Sequence, residues 1–178
     1  DPTILLSPAD YRKLIGEEGA EKYTNKITAF ILDRSEDKLA ALEKVSKVLA
    51  MDYNFAATET EDRLAPLEKR IAPSVADWLK AMYYADFIFT DSFHGCVFSI
   101  LFNKPFVLYV NRNRGVARFD SLLKLFKIEN RTLSDSNELE SCRIRQSIDW
   151  KPINAKLEEM RSKSMRFLEN ALTAKDEQ

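Results

Sequence analysis

Ala85-Asp86-Phe87-Ile88-Phe89-Thr90-Asp91-Ser92-Phe93-His94-Gly95-Cys96-Val97-Phe98-Ser99 changes character twice along its length. Phe87-Ile88-Phe89-Thr90 is short, apolar and β-prone, which predicts a buried strand. Asp91, Ser92 and His94 must then emerge where that strand ends. Cys96 to Phe102 turns apolar again, and a helix beginning near His94 fits its alternation better than a second strand. Strand, polar turn and returning helix make up half of a βαβ unit.

The same alternation extends in both directions. Upstream, Ile27 to Leu32 predicts a buried strand that ends at Asp33. Ser35 is a good N-cap, with Glu36 and Asp37 in the first turn, where the helix dipole favours acids. Leu39, Leu42, Val45, Val48 and Leu49 carry that helix to about Ala50, and Asn54 to Thr58 predicts a second strand. Residues 59–73 are charged and punctuated by Pro66 and Pro73, as in a surface loop. Ser74 caps a helix from Val75 to Ala85 whose apolar face is Val75, Trp78, Leu79, Met82 and Tyr83. Downstream, Pro105 precedes a strand over Phe106 to Val110, a charged loop over 111–118 and a helix from Phe119 to Lys127. A last helix over 152–172 opens at Pro152 and carries Ile153, Leu157, Met160, Ser164, Phe167, Leu168 and Leu172 on one face. Residues 1–25, with Pro8, Gly16 and Gly19, are polar and turn-rich and read as an entry arm. Strands alternating with helices predict an α/β fold, with a mostly parallel, doubly wound sheet in one domain over 1–178.

Composition narrows the function. The 178 residues are 45% hydrophobic, enough for a sizeable core, and 27 basic against 28 acidic residues leave a net charge of −1. That balance argues against nucleic acid, which normally demands a basic face. No apolar run is long enough to span a bilayer, and no signal-peptide pattern opens the chain. Cys96 and Cys142 lack metal-type spacing and read as reduced thiols of a cytoplasmic protein. One His among scattered carboxylates gives no metal site, and Asp33 and Asp37 are explained by capping. The opening Asp1-Pro2-Thr3 lacks an initiator Met and reads as a segment of something longer.

In an open parallel sheet, ligands bind outside the carboxyl ends of the strands, which is where Asp91, Ser92 and His94 fall. A helix N-terminus there offers N–H groups and a positive dipole end to phosphate or carboxylate. Ser92 can donate a further hydrogen bond, Gly95 permits close approach of backbone or ligand, and His94 can bind an anion or move a proton. The same residues are equally read as a capping turn with a structural histidine. Asn111-Arg112-Asn113-Arg114-Gly115-Val116-Ala117-Arg118 brings three guanidiniums to the loop after the next strand. That density suits an anion clamp, although basic loops are often only solvated surface. Trp78 and Trp150 can each stack on a sugar ring; Trp78 lies on an apolar helix face and reads more simply as core.

Thr90-Asp91-Ser92-Phe93-His94-Gly95-Cys96-Val97-Phe98-Ser99-Ile100, followed by Phe102-Asn103-Lys104-Pro105-Phe106, resembles the signature of the polysaccharide pyruvyltransferase family. Arg114 to Phe119 with Ser121-Leu122-Leu123 resembles a second block of that family. Asp1 to Leu6 is similar to the junction after its first domain, and Arg161 to Leu172 to its C-terminus. The resemblance implies the Rossmann-like C-terminal half of a GT-B-like bilobal enzyme, with a cleft shared with an N-terminal domain not contained in this chain. It implies transfer of a pyruvyl group from phosphoenolpyruvate, as co-substrate with no cofactor, to a sugar or lipid-linked saccharide of a cell-surface polysaccharide precursor. On that mapping His94 is the catalytic histidine, and Asp91, Ser92, Gly95, Arg112, Arg114 and Arg118 handle the donor. The reaction would run in the cytoplasm, at the inner face of the membrane where the acceptor is lipid-linked, and the isolated fragment would be inactive. Family members place an arginine two residues before the histidine; here that position is Ser92, and Arg112, Arg114 and Arg118 are the candidates to replace it. Two other classes stay open: a GT-B glycosyltransferase holding a nucleotide sugar on the same helix N-terminus, and a catalytically silent anion- or sugar-binding module.

Overall fold

The computed structural model describes residues 1–58, 64, 66–110, 116–140 and 142–173. Its frame is a five-stranded, all-parallel sheet in the order β2-β1-β3-β4-β5. The strands are β1 (Lys26–Phe30), β2 (Asp52–Phe55), β3 (Phe87–Thr90), β4 (Phe106–Tyr109) and β5 (Thr132–Leu133). β3 is central, pairing Ile27 with Phe87 on one side and Ile88 with Phe106 on the other. The helices are α1 (Pro8–Arg12), α2 (Glu36–Leu49), α3 (Leu67–Arg70), α4 (Val75–Tyr84), α5 (Phe93–Leu101), α6 (Val116–Phe126) and α7 (Trp150–Thr173). The doubly wound α/β architecture predicted from the alternation is therefore present.

Alternate side chains of the strands build two cores. Ile27, Ala29, Phe87, Phe89 and Val107 meet Ala41, Leu42 and Val45 of α2 on one face. Ile88, Phe106 and Leu108 meet α4, α5, α6 and the start of α7 on the other. β3 is buried on both faces, as the uninterrupted Phe87-Ile88-Phe89 run requires. Each fully buried Phe contributes about 1.5–3 kcal/mol, so the strand's place at the centre is strongly specified. Because β1 leads to α2 and β3 to α5 on opposite faces, the winding reverses between β1 and β3. That reversal marks the point where sheets of this kind usually open a crevice at their carboxyl edge.

Several elements differ from their sequence-based outlines. The entry arm is ordered: Ser7 and Asp10 close a reciprocal capping box around Pro8, and Ile4, Tyr11 and Ile15 are buried in the core. Tyr11 stands edge-on to Phe98 and Phe102, and its hydroxyl donates to Thr3 O at 2.9 Å. A Ser-Pro-x-Asp pattern at Ser7–Asp10 was the legible signal for that turn. β2 lies at Asp52–Phe55 rather than 54–58, and α3 interrupts the expected 59–73 loop. α6 starts at Val116, before Phe119, and β5 is only two residues long, too short to leave a periodicity. Val75 is exposed, so it leaves the expected apolar face of α4. Along α7, Ile153 and Leu157 are buried and Met160 partly so, but Phe167 and Leu172 are exposed, and the core face ends there.

Candidate functional site

The carboxyl end of β3 is a hydrogen-bonded junction between the two loops that diverge at the winding reversal. Thr90 Oγ1 donates to Phe30 O of β1 at 2.7 Å and accepts Ser92 N–H at 3.1 Å. Asp91 is 0% exposed and reaches across to the β1–α2 loop. Its carboxylate accepts Leu32 N–H at 2.7 Å, Asp33 N–H at 3.2 Å and Lys38 Nζ at 2.7 Å. Lys38 Nζ also donates to Asp33 O at 2.8 Å. The Lys38–Asp91 pair is thus a buried latch across the point where a crevice would open, and it fixes both loops relative to the sheet.

Ser92 follows as the N-cap of α5. Its hydroxyl oxygen accepts Gly95 N–H at 3.4 Å, and the residue is only 5% exposed. Gly95 is buried, and the close approach it permits is to the ends of the strands. A Cβ built there would lie 2.9 Å from Thr90 Cβ, closer still to Thr90 Oγ1, and 3.1 Å from a ring carbon of Phe30. The missing side chain lets the first turn of α5 settle on the ends of β1 and β3. That packing of helix on strand is enough to require a glycine at this position. Ser99 Oγ donates back to Gly95 O at 2.7 Å and holds the same turn from within.

His94 points the other way. Its side chain is 58% exposed, with Nε2 3.4 Å from Asp1 Oδ2, an ion pair whenever the imidazole is protonated. The imidazole stands edge-on to the Phe93 ring at 5.8 Å, and the Arg118 guanidinium lies over that ring at 5.2 Å. Phe93 is steadied in turn by Phe119, 5.8 Å away at the start of α6. One aromatic ring therefore carries an imidazole and a guanidinium at the exposed start of α5. Among the described residues, the N–H groups of Phe93 and His94 make no hydrogen bond, as expected of the first turn of a helix. A proton-transfer group, a fixed cation and two donors sit together there, a set able to bind an oxyanion and protonate a neighbouring atom.

The predicted site residues thus divide. Asp91, Ser92 and Gly95 build the floor, with Asp91 and Ser92 oriented inward; His94 and Arg118 form the exposed rim. Arg112, Arg114 and Gly115 lie outside the described residues. Trp78 packs its ring against Phe30 and Phe98 at 5.2 and 5.0 Å, as a core residue does, and Trp150 is half-buried against the same core. Sequence inspection missed Lys38, Phe93 and Asp1. Lys38 left a usable signal: a lysine in the first turn of a helix opposes the dipole and needs a nearby anion. Among the described residues no group of carboxylates, cysteines and histidine is placed to hold a metal, and no helix is long and apolar enough to cross a membrane. Both cysteines are free and buried, and burial raises the Cys142 thiol to a pKa of about 11.

A five-stranded, all-parallel, doubly wound sheet defines a Rossmann-like α/β protein, here with an imidazole and a guanidinium against one ring at the start of α5. The family model for polysaccharide pyruvyl transferase matches residues 1–113, and the chain belongs to that family. The family indicates a transferase of the polysaccharide pyruvyl transferase kind, and the matched region includes the whole of β3, α5 and the Asp91–His94 junction. No curated protein and no solved structure matches the chain.

Proposed function

We propose that the enzyme moves a pyruvyl group from phosphoenolpyruvate onto two hydroxyls of one sugar in a cell-surface or exopolysaccharide precursor, free or lipid-linked. This chain supplies the C-terminal half of the site in that account, facing a further domain that holds part of the acceptor. The observation that carries the reading is the Phe93 ring, against which His94 and Arg118 both stand, with Phe93 and His94 inside the segment matched by the family model.

The chemistry follows from that pair. The donor's phosphate or carboxylate is held by Arg118 and the first-turn N–H groups of α5, and Arg118 stands in for the arginine that Ser92 replaces. His94, protonated, gives its proton to the methylene carbon of the enol. The adjacent carbon becomes electrophilic and takes the oxygen of the first sugar hydroxyl. Its bond to the phosphate oxygen then breaks, phosphate leaves, and the second hydroxyl closes the ketal. The hydroxyl protons pass to His94 and the departing phosphate, so the balance is phosphoenolpyruvate plus a diol giving a ketal plus phosphate. Asp91 and Lys38 touch no substrate; they are positioning residues that hold the start of α5. The reaction takes place on the cytoplasmic side in this account, at the membrane surface when the acceptor is lipid-linked.

The test is to incubate the full-length enzyme and a saccharide acceptor with phosphoenolpyruvate or with nucleotide sugars. Release of phosphate from phosphoenolpyruvate, with a new ketal carbon in the product's carbon NMR spectrum, is the expected result. Consumption of a nucleotide sugar instead, with phosphoenolpyruvate untouched, overturns the proposal.

A further inference from the structure

A cavity with a mixed polar and apolar lining lies beside the start of β5, away from the carboxyl ends of the strands. It has a volume of about 540 Å³ and is bounded by the end of α6, the turn before β5 and the start of α7. Arg131, Lys127 and Lys156 line it with Asn130, Gln146 and Asp149. Three cations against one carboxylate make the wall basic, and Asp149 already accepts Lys151 N–H at 3.1 Å. Lys156 is partly engaged, 2.9 Å from Glu159 on the outer face of α7.

Arg131 is the unusual member. It is only 2% exposed and is among the largest fully buried side chains described. Its two terminal nitrogens donate to the carbonyls of Ile144 and Gln146, while Nε has no hydrogen-bond partner among the described residues. No carboxylate pairs with it there either. Burial draws its pKa down from the usual value, the sign expected of a cation lacking a counter-charge. Carbonyl dipoles orient a guanidinium but do not neutralise it, and an uncompensated buried charge is costly.

We propose that this cavity binds a small tetrahedral oxyanion of the phosphate class, with Arg131 as the buried anchor and Lys127 and Lys156 at the rim. Arg131 sets an uncompensated guanidinium charge against the cavity wall, and the rim lysines add charge without fixed geometry. The ligand is inorganic phosphate or the phosphoryl group of a sugar phosphate. The site is independent of the α5 rim, which lies at the carboxyl end of the strands.

The test is thermal unfolding and calorimetric titration of the chain with sodium phosphate against sodium chloride at matched ionic strength. A saturable stabilisation is expected, about 3–6 °C in Tm at tenfold over Kd. Because Arg131 also holds two carbonyls, the decisive variants are Lys127→Glu and Lys156→Glu, each expected to weaken phosphate binding by about tenfold or more. Lys47→Glu, an exposed charge reversal on α2 at the other face of the sheet, is expected to leave the response intact. No saturable rise, or a rise that survives both lysine variants, overturns the proposal. Tighter binding of glucose 1-phosphate than of phosphate identifies a phosphorylated metabolite, the reverse identifies the free ion, and both uphold the site.

Discussion

Replacing Gly95 with alanine sets a favourable local effect against an unfavourable contact. Alanine in a helix is better than glycine by about 0.5–1 kcal/mol, so on propensity alone the variant is stabilised. The new Cβ, however, would sit 2.9 Å from Thr90 Cβ and nearer still to Thr90 Oγ1. Thr90 cannot swing aside, because it is fully buried and its hydroxyl bridges Phe30 O and Ser92 N. Overpacking of this kind costs about 1–3 kcal/mol, and each hydrogen bond lost with the hydroxyl about 0.5–1.5 kcal/mol more. The clash wins, leaving a net loss of about 1–3 kcal/mol and a Tm lower by about 2–12 °C. Circular dichroism melts and urea titrations read this directly. Thr90→Ala removes the nearest atom but keeps Cβ, so Gly95→Ala with Thr90→Ala should cost less than the sum of the two single changes. A Gly95→Ala protein as stable as the parent, or strict additivity in the double variant, would refute the packing account and return Gly95 to a ligand-facing role.

Breaking the buried latch has a larger expected effect: Lys38→Met or Asp91→Asn each strands its partner and should cost about 3–5 kcal/mol in urea unfolding, with the double variant recovering part of it. Arg118→Lys keeps the charge but loses the planar fork, and should weaken phosphoenolpyruvate binding by about 1–3 kcal/mol with little change in Tm; an unchanged donor KM argues against the clamp. Asp37 accepts Ser136 N–H at 3.0 Å and the Tyr109 hydroxyl, which hold its carboxyl below the usual carboxylate range. A depressed folded pKa contributes stability above about pH 4 that is lost as the pH falls through the lower folded value, so Asp37→Asn should flatten the acid limb of a Tm–pH curve. An identical acid limb in parent and variant would contradict that assignment.

The strand-turn-helix core of the fold was legible because Phe87-Ile88-Phe89 admits few alternatives to burial and Ser35, Ser74 and Ser92 each precede a helix they cap. The ordering of residues 1–15 was hidden by its length, since a one-turn helix leaves no periodicity; its burial depends on Phe98 and Phe102, remote in sequence. The outer half of α7 misled for the converse reason: a helical stripe records amphipathicity and not what, if anything, covers it. Within the site, the polar residues could be located at the end of β3 but their directions could not. Asp91 turns inward because Lys38 and two backbone N–H groups await it, a long-range arrangement that spacing along the chain does not encode. His94, two positions into the helix, turns outward.

Turnover of the His94→Ala variant of the full-length enzyme, followed as ketal formation from phosphoenolpyruvate beside a thermal melt of the same preparation, probes the assignment of this helix start as the reacting end. Loss of a general acid costs about 10²–10⁴-fold in rate. The side chain is 58% exposed, so the change should move stability by no more than about 0.5 kcal/mol. A fall in kcat of at least about a hundredfold with Tm unmoved is the predicted result; full turnover in His94→Ala would contradict it and leave the histidine a surface residue.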